Sequence, residues 1–237
     1  NLKNRFSEND HLIVCISWTY GSGGVNIGFK LADKLKINFY DAEIFEAVLK
    51  RLEAQKDSIQ DSVSYGIKPG IKKEPAHDQD ANVNPSEAFI PERHLTLRQR
   101  MREFSRFHGL PKRDAVFFNE SDLLVDMAKK EDFVILGRCG DAIMANNNIP
   151  HISIYITAPF EQRIKRAMEI DSSLTVKQAR HMLKHLDHVH SQYYHYYTNR
   201  NWGHSNNYDL CINSASYGID GTVDFIYRMI TAREEDK

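Results

Sequence analysis

The sequence predicts a three-layer α/β domain built on a five-stranded parallel sheet with helices on both faces, and three observations carry that prediction. Short apolar runs rich in β-branched residues recur, first at residues 12–17 (Leu-Ile-Val-Cys-Ile-Ser) and again at 133–137. Their length and composition suit strands buried on both faces. Between such runs lie segments whose apolar residues are spaced three or four apart, the helical period. The first run ends in a glycine cluster, Gly21-Ser22-Gly23-Gly24, that opens onto one of these helical segments. Strand, turn, helix, strand in this order is the pattern of parallel α/β packing.

The elements follow in order. Ile27, Leu31 and Leu35 define a helix after the glycines, and Ile37 to Tyr40 a second strand ending at Asp41. Phe45, Val48, Leu49 and Leu52 share one face of a further helix over 42–54. From residue 55 to 92 the chain is polar and holds four of its seven prolines, Pro69, Pro75, Pro85 and Pro91. That composition belongs to a loop excursion or a partly disordered segment. A basic helix is expected over 95–107 and another over 120–130, leading into the third strand. Residues 151–157 read as the fourth strand, 160–170 and 175–197 as helices, and Tyr208 to Asn213 as the fifth strand. A closing helix over 219–232 carries Ile219, Val223, Ile226 and Ile230 on one face.

Composition bounds the function. A chain of 237 residues suits one domain with an elaboration. Basic and acidic residues number 31 and 32, giving a net charge of -1 that argues against a general polyanion binder. Charge is uneven along the chain: Arg93, Arg98, Arg100, Arg102, Arg106, Lys112 and Arg113 lie within one stretch beside a single acid, Glu103. With only Phe104 and Phe107 as aromatics and a place inside the excursion, this stretch reads as a solvated or substrate-facing helix rather than a nucleic-acid surface. No apolar run reaches the length of a membrane helix. Cys15, Cys139 and Cys211 each sit in or beside an apolar run, which reads as buried thiols in a reducing compartment, the cytoplasm. Asn1 to Asp10 reads as an extended or disordered segment without a signal-type apolar stretch, and the lack of an initial Met suggests a missing part of the native terminus.

A strand that runs into a glycine turn and then a helix can cradle a phosphate, because successive N–H groups face one anion at the positive end of the helix. The alternative is a tight connection that holds nothing. The common lysine-containing loop pattern is not met: Val25 stands where its lysine would be and Asn26 where its hydroxyl residue would be. His181, His185 and His188 share a helix face at ligand-like spacing, but no cysteine or H-E-x-x-H motif accompanies them, so no metal site is assigned. Tyr193, Tyr194, Tyr196, Tyr197 and Trp202 are expected to pack a peripheral helix against the core.

Five blocks carry a family resemblance. They are Ile16-Ser17-Trp18-Thr19-Tyr20-Gly21-Ser22-Gly23-Gly24 with Phe39-Tyr40-Asp41; Val134 to Cys139 with Asp141; Ala158 to Arg166; Tyr193 to Thr198 with Trp202-Gly203; and Tyr208-Asp209-Leu210-Cys211-Ile212-Asn213. In this order they resemble the cytidylate-kinase-like family of P-loop proteins. The resemblance implies a nucleoside monophosphate kinase fold over 11–237, with a substrate-side insertion at 55–112 and a lid at 160–205. It implies a nucleotide-binding phosphotransferase that uses ATP and Mg2+, acts on a nucleoside monophosphate such as CMP, and leaves a homo-oligomer open.

By the same resemblance, Gly21, Ser22, Gly23, Gly24, Val25 and Asn26 would hold the donor phosphates. Arg138, Asp141 and Asp187 would serve the acceptor, with Asp41 and Arg138 placing its phosphate. Arg163 and Arg166 would neutralise the transferring group. Asp41 can equally cap the helix after it, and a solvated basic face is the alternative for Arg163, Lys165 and Arg166. Asp187, with His188 and His190, is expected to begin the returning part of the lid. Relatives typically carry arginines where this chain has Trp18, Val25 and His190. Phosphoryl transfer depends on neutralising charge, so a nucleotide- or phosphate-binding module with weak or no catalysis is the alternative.

Overall fold

The structure is a computed structural model that describes residues 5–41, 112–137 and 139–231. The order is β1 (Ile13–Trp18), α1 (Gly24–Leu35), β2 (Asn38–Asp41), α2 (Lys112–Ala128), β3 (Phe133–Leu136), α3 (Gly140–Asn146), β4 (Ile152–Thr157), α4 (Phe160–Ile170), α5 (Val176–Thr198), β5 (Leu210–Asn213) and α6 (Ser214–Thr231). The five strands form one sheet in the order β2-β3-β1-β4-β5, and every pairing is parallel.

Alternation along β1 sets the layers. Val14, Ile16 and Trp18 point to one face, where Ile27 and Leu31 of α1 and Val223, Ile226 and Ile230 of α6 cover them. Ile13 and Cys15 point to the other, against Leu124 and Ala128 of α2 and Ile143 and Met144 of α3. All six residues of β1 are buried, as the unbroken apolar run required. Because every strand pairs in parallel, the carboxyl ends lie along one edge of the sheet, and in open α/β sheets that edge is where ligands bind.

Several elements differ from the sequence expectation. Strand β1 runs one residue further, so Trp18 ends the strand instead of opening the turn. Helix α2 extends back to Lys112 rather than starting near 120. Helix α3 was not foreseen: it is seven residues long and starts behind Cys139, a non-glycine residue at φ 58. The segment 214–231 is helical on both sides of Gly218 (φ 69, ψ 176), which explains why a continuous apolar period is readable only from Ile219. Asp187 sits in the middle of the 23-residue α5, so no chain reversal begins there. That helix opens with a capping box, in which the Thr175 side chain accepts from the Gln178 N–H and the Gln178 side chain accepts from the Thr175 N–H.

The expected helices over 42–54 and 95–107, the excursion over 55–92 and Arg138 lie outside the described residues. Residues from Arg5 onward are anchored: Arg5 Nη1 donates to the His151 carbonyl (3.1 Å) and to Asp209 Oδ2 (2.8 Å). Among the described residues no helix is long and apolar enough to cross a membrane, and no group of three His, Cys, Asp or Glu could hold a metal, the His181/His185/His188 face included.

Candidate functional site

The glycine turn lies at the carboxyl end of β1. Thr19 continues the strand's bonding, its N–H donating to the Ile156 carbonyl at 3.0 Å, and the Ser22 N–H then closes a tight turn on the Thr19 carbonyl, also at 3.0 Å. Gly21 (φ 76) and Gly23 (φ 84) take the left-handed conformation that an L-residue resists. Gly23 caps α1 without any side-chain hydrogen bond, and no acidic residue stands in the first helical turn. The Ile27 N–H, bonded to the Gly23 carbonyl at 3.0 Å, is the first amide satisfied within the helix. The amides of Gly24, Val25 and Asn26 therefore leave the helix start without helical partners, at the positive end of the dipole. Val25 and Asn26 are exposed.

Ser22 differs from its neighbours in this set. It is fully buried, its N–H closes the turn, and its hydroxyl donates to the Ile156 carbonyl at 3.3 Å. Ser214 holds it from below, donating its hydroxyl to the Ser22 carbonyl (2.6 Å) and the Thr157 carbonyl (3.2 Å). Nothing in the sequence around Ser214 announces that support, which depends on β5 ending beside β4.

Trp18 occupies the floor of the turn. It is 4% exposed and meets Tyr20 at 6.0 Å and the His190 ring edge-on at 5.8 Å between centroids. His190 Nε2 lies 3.0 Å from the Tyr20 hydroxyl. Trp18 and His190, two of the three positions at which the resemblance leads one to expect arginine, thus belong here to an aromatic cluster, joined by Trp202 at 5.7 Å from His190.

The basic residues after β4 reach the turn from α4. Arg163 Nη1 donates to the Tyr20 carbonyl (3.0 Å) and to Asp187 Oδ2 (2.6 Å). Asp187 Oδ1 accepts from the Tyr20 N–H at 3.1 Å. Arg166 Nη1 donates to the Gly21 carbonyl at 3.0 Å. The structure therefore brings together the turn, Arg163, Arg166 and Asp187. Lys165 points away and is exposed.

Asp141 and Asp41 lie elsewhere on the same edge. Asp41 ends β2 opposite Leu136 and is half-buried. Asp141 is buried on α3, where Tyr194 of α5 donates its hydroxyl to Oδ2 at 2.7 Å. Its Oδ1 is buried without a hydrogen-bond partner among the described residues. Burial raises the Asp141 pKa above the ordinary carboxylate range, opposed by the Tyr194 hydroxyl and the Ala142 amide. Burial likewise raises the Tyr194 and Tyr208 hydroxyls. The expected packing of the tyrosine block holds for Tyr194, in a cluster with Cys139 and Ala142 bordered by Tyr193, Tyr197 and Trp202, but not for Tyr196, which is exposed.

One solved structure agrees with this architecture. No curated protein matches the chain. A solved structure of an uncharacterized protein from Eubacterium ventriosum aligns with a TM-score of 0.62 at 22% identity, covering 94% of this chain and 100% of that one. Shikimate kinase from Bacteroides thetaiotaomicron aligns with a TM-score of 0.48 at 11% identity, covering 92% and 98% of the two chains. Shikimate kinase from Acinetobacter baumannii, in complex with shikimate, gives a TM-score of 0.45 at 12% identity and full coverage of both, 100% and 100%. The family model described as cytidylate kinase-like matches residues 13–216, from the first residue of β1 into α6. With that match over the sheet, the turn and both arginine-bearing blocks, the chain belongs to the cytidylate kinase-like family.

Proposed function

We propose that this chain binds a nucleoside triphosphate at the 19–26 turn and transfers its terminal phosphoryl group to a nucleoside monophosphate, with CMP the acceptor by family likeness. The observation that carries this reading is the start of α1, where three amides without helical partners, no first-turn acid and no capping side chain favour an anion. The donor phosphates fit that set of amides. Magnesium is held by one or two carboxylates together with phosphate oxygens. Asp41, ending β2 at the same edge, would supply a carboxylate, and the metal would arrive with the nucleotide. When bound, the metal neutralises charge on the phosphate chain. In the transfer an acceptor phosphate oxygen bonds to the γ-phosphorus while the bond from that phosphorus to the β–γ bridging oxygen breaks, and ADP departs with the electron pair.

The chain's own contribution is positioning: Gly24, Val25 and Asn26 orient the donor, and Arg166, half-buried over the turn, offers positive charge beside it. Arg138 and Asp41 are assigned to the acceptor phosphate, and Asp141 to the packing of the acceptor side. The cytoplasm, with its ATP and reducing conditions, is the compartment this reading assumes. A coupled assay of ADP release with CMP, dCMP, UMP and AMP is expected to show turnover with at least one acceptor; background rates with all four refute transfer.

A second reading is favoured by Trp18, buried where relatives carry a cationic residue: a nucleotide- or phosphate-binding module that turns over little. Calorimetric titration with MgATP separates the two, since the module still binds while releasing no ADP. Val25→Arg, at an exposed site in the first turn of α1, is expected to tighten polyphosphate binding. Trp18→Arg is instead expected to unfold the site, because it places an unpaired charge in the core.

A further inference from the structure

Arg163 carries the charge most obviously placed for phosphate, yet its Nη1 is already engaged by the fold, and its Nε is buried with no partner among the described residues. Its side chain is 9% exposed and that of Asp187 21%, and the two form an ion pair across the α4–α5 contact. Together they grip both sides of one residue of the turn: Asp187 Oδ1 takes the Tyr20 N–H and Arg163 Nη1 takes the Tyr20 carbonyl. We propose that Arg163 and Asp187 are a positioning pair that sets the peptide planes of the phosphate turn, and that neither touches the transferring phosphate. This rests on the reading of the turn as an anion site.

The peptide geometry supplies the reason. In a trans peptide the carbonyl and the following N–H point in opposite directions, and the described residues contain no cis peptide. Drawing the Tyr20 carbonyl toward α4 therefore turns the Gly21 N–H away from α4. Arg166 repeats the device one peptide later: it draws the Gly21 carbonyl, and the Ser22 N–H swings back to close the turn on Thr19. Gly21 is needed between the two planes because its φ is 76 and because a Cβ there would lie 2.8 Å from the Arg163 carbonyl oxygen. Two successive peptide planes are thus oriented by α4, and α4 is itself held by Asp187 of α5. The planes so held lead into the amides of Gly24, Val25 and Asn26, so loosening the pair is expected to weaken anion binding there, and anion binding in turn to favour the seating of Asp187 against Arg163.

The full-length chain tests this with Arg163→Met, Asp187→Asn and the double variant Arg163→Met/Asp187→Asn. Three measurements are made on each: the Kd for MgATP and for pyrophosphate by calorimetry, hydrogen exchange of the peptide spanning Tyr20 to Ser22, and Tm. Each single variant is expected to weaken binding by about 5–150-fold, the usual range for coupled sites, and to speed exchange at Tyr20–Ser22 by about tenfold or more. The double variant has no unpaired buried charge, so its Tm should recover toward wild type while affinity stays weak and exchange stays fast. A role in stability alone would make affinity recover with Tm, and that result overturns the proposal. So does Asp187→Asn binding as tightly as wild type while Arg163→Met loses affinity, because a guanidinium that touches phosphate is not harmed by losing its carboxylate. If the wild-type chain binds neither probe, the anion reading of the turn fails. Exchange at Tyr20–Ser22 then decides the pair alone, with unchanged exchange in all variants refuting it.

Discussion

Gly24→Ala tests whether the turn is built around Trp18. An added Cβ would lie 2.8 Å from Trp18 Cδ1 and closer still to Trp18 Cβ and Cγ. Those atoms are at the root of the indole, which is itself 4% exposed, so rotation of a flexible tip cannot relieve the clash. Reaching an ordinary contact of 3.4 Å requires 3.4 − 2.8 = 0.6 Å of movement at Cδ1 and more at the other two atoms. Overpacking of that kind costs about 1–3 kcal/mol, offset by at most about 1 kcal/mol of helix propensity gained over glycine. A net loss of about 1–2 kcal/mol corresponds, for a chain of this size, to a Tm lower by about 2–8 °C. Thermal and urea unfolding of Gly24→Ala, Trp18→Ala and the double variant measure it. Trp18→Ala alone should cost about 3–5 kcal/mol through the cavity it leaves. In that background the alanine at 24 should become neutral or favourable, giving a coupling of about 1–3 kcal/mol. Additive effects, or a Gly24→Ala Tm equal to wild type, would refute the close approach of indole and turn.

The remaining predictions concern pH and capping. Asp141 has its pKa raised by burial, so its contribution is fully present below the ordinary carboxylate pKa and is lost as pH rises through the folded value. Asp141→Asn should therefore flatten the decline of Tm with rising pH, and an unchanged slope counts against a costly buried carboxylate. Asp209 behaves oppositely: burial alone would raise it, but Arg5 and the Ser153 N–H and hydroxyl together lower it. Its contribution is present above the ordinary value and lost as pH falls through the folded one, so Asp209→Asn should make acid unfolding shallower. Tyr194→Phe removes the donor to Asp141 Oδ2 and should cost about 1–3 kcal/mol by urea titration. Thr175→Ala breaks the capping box of α5 and should cost about 1 kcal/mol, with no loss indicating that the cap is redundant.

The strands and most helices could be read from the sequence because their signals are local. The run from Ile13 is apolar at each position that the sheet buries, and Ile27 and Leu31 recur at the helical period. Helix α3 could not be read, since seven residues give barely two turns of period and its start depends on a left-handed Cys139. The candidate site was half-readable. Gly21, Gly23 and Gly24 mark the turn by residue type alone, whereas Ser22 looks like a ligand in sequence and proves to be buried, with its N–H and hydroxyl engaged inside the fold. The Tyr194–Asp141 bond joins residues 53 apart, and neither residue type foretells the other.

The sequence by itself determined the layering, the parallel sheet and the place of the glycine turn, because burial pattern and glycine conformation are properties of neighbouring residues. What the charges do was decided only in three dimensions. Arg163 lies 143 positions from the carbonyl it holds and 24 from the carboxylate it pairs with. Whether such a guanidinium meets a phosphate or a backbone depends on how α4 crosses the turn and where α5 places Asp187. Trp18 reads in sequence as a missing cation; folded, it is the packing surface on which Gly24 and the helix start rest. Side-chain type fixes what a residue can do, and the distance between helices fixes which partner it does it with.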